Sequence, residues 1–266
     1  MHNNLLNTSS FFLKNFPYFF RYDKTKIILK KYLENFYELK TKGVTIIKNF
    51  INEDLCDKLI NVINKAIIDE KKILHTTKSL DHRLWGLENI SSIAYDLLND
   101  PDLVNLVKKY EKNKNLCEST VLGALIKYVK NGKGSGEGWH RDRTLYKYKY
   151  TKAIIYLNDV NEQNGPFQYL VGSHKIFNIM KLNHKYNIQY HIKEFSDELI
   201  NEVNKSNVLD IKTCAGKKGD LIIFDGSGIH RGKPLNENHR YAITHYYRFN
   251  PDEIMPFKKI NNCLKK

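Results

Sequence analysis

The chain has 266 residues, 41% hydrophobic and 27% charged, which excludes a disordered chain and leaves enough sequence to bury a sizeable core in one domain. The net charge is +14, but lysine is spread along the whole length with no dense Lys/Arg block, which counts against a nucleic-acid partner and leaves an anionic small molecule as the better match. Cys56, Cys117, Cys214 and Cys263 are far apart and form no CxxC pair, so reduced thiols in a cytoplasmic protein are expected rather than a disulfide scaffold.

In chain order, residues 11–20 are aromatic but interrupted by Lys14, Asn15 and Pro17, which reads as an arm packed on the domain rather than a signal peptide or a membrane span. The stretch 43–50 (GVTIIKNF) reads as a β-branched strand. Asn52 then reads as an N-cap, before a helix whose apolar positions Leu55, Leu59, Val62, Ile63, Ala66 and Ile67 recur at helical spacing. A second helical stretch runs over 92–110, interrupted at Pro101, so residues 1–118 are expected to be mainly helical. Strands dominate afterwards, over 121–130, 151–157, 221–224 and 240–249. The strand 221–224 is apolar throughout and is expected to be buried on both faces. A polar insert over 175–207, with a helix after the cap Ser196, has the length of a lid. Helices first and antiparallel-looking strands later give an α+β fold around a double-sheet jelly roll, with 1–266 as a single domain and a β core over 119–250.

The chemistry starts at Gly138-Trp139-His140-Arg141-Asp142. On an extended strand residues i and i+2 face the same side, so His140 and Asp142 can reach one ion. Composition alone gives about half a chance match to His-x-Asp, so the pair needs context. The context is the segment 219–232, GDLIIFDGSGIHRG, a buried strand that runs into a glycine-bearing turn and presents His230. Two His and one carboxylate suit a six-coordinate iron(II) with an open face. They also suit zinc with an activated water, which would make a hydrolase. Arg240 follows ten residues later, after the turn-like stretch 233–238, and a hairpin there would return it to the metal. Its guanidinium can fork onto a carboxylate, as the distal end of 2-oxoglutarate requires. Small Ala242 shares its face and would leave room. A third reading is a catalytically silent basic binding module, against which the complete set of ligands weighs.

Three stretches together resemble the phytanoyl-CoA dioxygenase-like family: GWHRD (138–142), NGPFQYLVGSHK (164–175), and the 219–232 segment followed by His239-Arg240. The resemblance runs from about residue 38 to 249. It implies a double-stranded β-helix and a dioxygenase that uses Fe(II), 2-oxoglutarate and O2. It matches His140, Asp142 and His230 to the metal ligands and Arg240 to the cosubstrate anchor. Lys127 and Tyr128, on the preceding strand, are candidates for further cosubstrate contacts. Two positions depart from the family: a tryptophan near the cosubstrate in some members falls at Ile154 or Ile155 here, and a hydroxyl residue two places after the second His is Gly232. Family halogenases lack the acidic ligand, so Asp142 points to hydroxylation, although desaturation and epimerisation need the same ligands. Trp139 and His174 read as packing and turn-stabilising residues. The expected substrate is a small molecule, anionic or carrier-linked, and nothing in the chain selects among the family's substrates.

Overall fold

The computed structural model describes residues 25–69, 75–76, 81–143 and 151–249, together with Leu13, Lys14, Phe16 and Asp23. The arm expected over residues 11–20 lies mostly outside them.

Helix α1 (Leu33–Lys42) leads into strand β1 (Val44–Ile47). Helix α2 (Glu53–Ile68) begins at Asn52, whose side chain accepts from the Leu55 N–H, as the sequence predicts. The stretch 92–110 is two helices, α3 (Ser92–Leu98) and α4 (Pro101–Glu111). Proline has no N–H and its ring clashes with the preceding turn, so Pro101 starts a new helix, behind the cap Asp100, instead of kinking an old one.

Two antiparallel sheets follow, with strands numbered in chain order. The larger runs β1, β10 (Leu221–Asp225), β6 (Thr151–Tyr156), β12 (His239–Arg248), β4 (Glu118–Lys127), β3 (His82–Trp85) and β2 (His75–Thr76). The smaller runs β8 (Glu194–Phe195), β5 (Trp139–His140), β11 (His230–Gly232), β7 (Phe167–Leu170) and β9 (Ile211–Cys214). Alternation sorts the large sheet cleanly. Ala153, Ile155, Leu221, Ile223 and Ile243 face outward and pack with Leu59, Ile63, Leu103 and Leu106 of the helices. Tyr156, Ile222, Phe224 and Ala242 face inward and pack with Phe167, Tyr169 and Cys214 of the small sheet. Strand β10 is buried on both faces, which its apolar run over 221–224 reflects. This is the α+β, double-stranded β-helix architecture that the sequence implies.

Strand β1 lies within the stretch read as a strand over 43–50, while β2 and β3, which also join the large sheet beside the helices, are too short, at two and four residues, to carry a readable period. Two expectations need correction. The stretch 233–238 is not a hairpin within one sheet: β11 belongs to the small sheet and β12 to the large one, so the connection crosses between layers. The insert 175–207 forms α5 (Ile176–Lys185) and α6 (Asp197–Lys205), the latter capped by Ser196 as predicted. Its Ile179, Leu182, Ile200 and Val203 pack with Trp139, Leu170 and Ile229 on the outer face of the small sheet, away from the inner cavity. Its apolar spacing therefore serves a second core, not a lid. Among the described residues no helix is long and apolar enough to cross a membrane.

Candidate metal centre

His140 and His230 are direct cross-strand partners on β5 and β11, with ring centroids 4.5 Å apart. Each ring is held the same way. Nδ1 of His140 donates to the Gly138 carbonyl at 2.9 Å, and Nδ1 of His230 to the Gly228 carbonyl at 2.9 Å. A carbonyl only accepts, so the proton sits on Nδ1 and the Nε2 lone pair is left for another partner. Asp142 lies just past the end of β5, and its N–H donates to the Gly226 carbonyl at 2.9 Å. One ligand atom from each of the three residues lies within 4.8 Å of the others.

Burial lowers the pKa of His140, and burial together with neighbouring His140 brings His230 down to about 3, so both imidazoles are neutral. Burial pushes the Asp142 carboxyl up, but Lys152 and the two histidines outweigh it and hold it at about 2. Asp142 Oδ1 accepts from Lys152 Nζ at 2.7 Å. Its Oδ2, 3.8 Å from His230 Nε2, is buried without a hydrogen-bond partner among the described residues. A buried unpaired carboxylate oxygen is costly unless something charged satisfies it. Two neutral imidazole nitrogens and this oxygen fit a divalent metal such as iron(II).

The ligands are set by a buried scaffold. Arg141, 2% exposed, donates from Nε to the Ser227 carbonyl at 2.6 Å and from its N–H to Lys193. Ser227 is held by Asp225 Oδ1, and Asp225 Oδ2 accepts from Tyr110 of α4 at 2.6 Å. Trp139 points the other way, into the outer core beneath Arg231, as alternation predicts. His174 Nε2 lies 3.2 Å from the Lys40 carbonyl and ties the 172–175 turn to α1.

A cavity of about 190 Å³ opens beside the three ligand residues. Arg240 lines it, 5% exposed, with Nη1 lacking a partner among the described residues. A Cβ at Gly232 would stand 2.9 Å from Arg240 Nη2, so the missing side chain at 232 is what lets the guanidinium lie close. Of the two isoleucines at the family's tryptophan position, Ile154 lines the cavity and Ile155 faces the helices. Lys127 and Tyr128 do not line it. Ile126 is the register partner of Arg240 and faces inward, so Lys127 faces away, and Tyr128 lies past the strand and is exposed. The structure instead brings in Lys152 from β6 and Arg83 from β3. Neither sits in a readable motif; only the pairing register places them.

The family described as phytanoyl-CoA dioxygenase (PhyH) matches residues 39–241. No curated protein sequence matches the chain. Among solved structures it is similar to EctD from S. alaskensis with bound Fe (14% identity, 81% of this chain and 76% of that one, TM-score 0.60). It is also similar to the epimerase SnoN in complex with Fe3+, alpha ketoglutarate and nogalamycin RO (14%, 85% and 91%, 0.58). A third is a prolyl-4-hydroxylase from Pseudomonas putida (15%, 81% and 97%, 0.54). At these identities the structures speak for the fold, while the family match spans most of the chain. The protein therefore belongs to the phytanoyl-CoA dioxygenase family, enzymes that use iron(II), 2-oxoglutarate and dioxygen.

Proposed function

We propose that this enzyme hydroxylates an unactivated C–H bond of a small anionic metabolite, with His140, Asp142 and His230 holding iron(II) and Arg240 taking the distal carboxylate of 2-oxoglutarate. The observation that carries the reading is the trio itself: two neutral imidazoles with Nε2 free, beside a buried carboxylate oxygen that lacks a partner. When bound, iron(II) with 2-oxoglutarate and dioxygen supplies an oxidant for C–H bonds, with succinate and carbon dioxide released.

The chain's own residues bind, orient and exclude water. Arg240 offers charge-assisted hydrogen bonds in a buried setting where water does not compete. Lys152 keeps Asp142 ionised and engages one oxygen, leaving the other for metal. Phe167, Phe224 and Ile154 make the wall apolar. The acidic ligand at 142 leaves no vacant position for a halide, which favours oxygen transfer. With a divalent metal and a dianionic cosubstrate in place, Lys152 and Arg240 leave the site one charge positive, so an anionic substrate balances it.

Anaerobic addition of 2-oxoglutarate to the iron(II)-loaded protein should give a weak visible charge-transfer band, and a substrate should stimulate succinate release. His140→Ala and Asp142→Ala should abolish both. No band in the wild type, together with tight zinc binding and ester or amide hydrolysis, would sink the reading.

A further inference from the structure

An anionic substrate needs a receptor other than Arg240, and the cavity holds one. Arg83 of β3 is in register with Ala124 of β4, which pairs in turn with Ala242 of β12. Arg83 and Arg240 thus face one cavity from strands two apart, a backbone spacing of roughly 10 Å across the sheet. Ala124 and Ile126, on the strand between them, line the same cavity.

The two guanidinium groups sit differently. Arg240 is deep. The Arg83 side chain is 23% exposed, beside Ser135 and Gly136 of the segment that passes over His140. Its Nη2 is tied to Asp81 Oδ2 at 3.1 Å and to Ser135 Oγ at 3.4 Å. Among the described residues, Nε and Nη1 take no partner. Asp81 is fully buried, so it orients the guanidinium from behind. A fixed arginine with unspent donors, near a metal site and open to solvent, is built to receive an oxyanion. Once the cosubstrate occupies the deep arginine, the outer one remains for the second ligand.

We infer that Arg83 is the specificity residue for the primary substrate, pairing with its carboxylate through the guanidinium charge and one remaining N–H while the C–H bond to be oxidised lies toward His140, Asp142 and His230. The substrates are then small carboxylic acids. This rests on the iron and 2-oxoglutarate reading of the site.

The test uses the iron(II)- and 2-oxoglutarate-loaded protein without oxygen, and follows the visible band as probes are added. The probes are butyrate, benzoate and N-acetylglycine, each beside its primary amide. At least one acid should perturb the band with a midpoint at least tenfold below that of its amide. Arg83→Gln should erase that preference, Arg83→Lys should keep part of it, and both should move the acid midpoint more than the 2-oxoglutarate midpoint. The comparison of acid with amide needs only the wild type, so a variant that misfolds does not decide it. Acids that bind no better than their amides overturn the inference. So does an Arg83→Gln protein, folded by circular dichroism, that loses 2-oxoglutarate as Arg240→Gln does, because Arg83 would then belong to the cosubstrate. Absence of any band in the wild type is a different failure, that of the iron and 2-oxoglutarate reading.

Discussion

Gly136 limits where the His140 ring can sit. Its φ is +89°, and a Cβ there would stand 2.5 Å from His140 Cε1. Gly136→Ala should displace the ring and weaken metal binding by about tenfold or more, the usual cost of disturbing a ligand's support. Calorimetric titration with manganese(II) checks this, and a folded variant with wild-type affinity refutes it. Lys152 calls for a different measurement. Lys152→Met leaves Asp142 buried without its counter-charge, which should cost about 3 kcal/mol in the metal-free protein. A divalent metal restores a positive charge to the carboxylate, so the gap should shrink in saturating manganese(II). Urea unfolding with and without metal gives both numbers, and an equal gap in both would show that the pair does not answer to the metal site. Neither Lys152 nor Arg83 was legible in the sequence, because both reach the site across sheet pairings with no local signature. His140, Asp142, His230 and Arg240 were legible as a set because stretches that are weak alone follow one another in order along the chain. Lys127 was misplaced by a single step of strand alternation and Tyr128 by the end of the strand before it, neither of which propensity fixes.

At the scale of elements, the insert 175–207 shows how a legible helix can have an illegible role. The cap Ser196 announced α6, but not that its Ile200 and Val203 would cover the outer face of the small sheet. Ile200→Ala should therefore cost about 3 kcal/mol of stability, as a large-to-small change in a packed core does, and leave the 2-oxoglutarate midpoint where it was. A changed midpoint with intact stability would return the insert to the role of a lid. Helix α1 is joined to both sheets through Glu38, which accepts from Thr45 of β1 at 2.6 Å and from Lys212 of β9 at 3.1 Å. Burial pushes this carboxyl up, but Thr45, Lys42 and Lys212 outweigh it and hold it at about 2, below its ordinary 4.5. Because the folded value is depressed, the stabilisation is complete above about 4.5 and is lost as pH falls toward 2. The difference in urea midpoint between the wild type and Glu38→Gln should be widest above that window and close within it. A difference that stays constant with pH would mean that the carboxylate's charge does not matter.

The whole molecule divides its site between two layers. His140 and His230 stand on the small sheet, and Arg240 stands on the large one because the chain crosses between sheets after β11. Sequence order revealed the two halves, but the crossing came only with the pairing, since a turn-like stretch joins strands equally well within a sheet or between sheets. A dicarboxylate that spans metal and Arg240 therefore links the layers, whereas a metal alone ties together residues of one layer and Asp142 beside it. Each ligand that binds only the folded state stabilises it by an amount set by its concentration over its Kd, about 2.7 kcal/mol at a hundredfold excess. For a chain of this size that corresponds to a rise in Tm of roughly 5–10 °C. In the redox-inert case of manganese(II), 2-oxoglutarate should give this rise only when metal is present, because one end of it has nothing to hold otherwise. Arg240→Gln should keep the rise due to manganese(II) and lose the further rise due to 2-oxoglutarate, because the large-sheet half of the link is gone while the small-sheet half is untouched. A 2-oxoglutarate shift that is the same with and without metal, or that survives in Arg240→Gln, would mean that the cosubstrate does not bridge the two sheets.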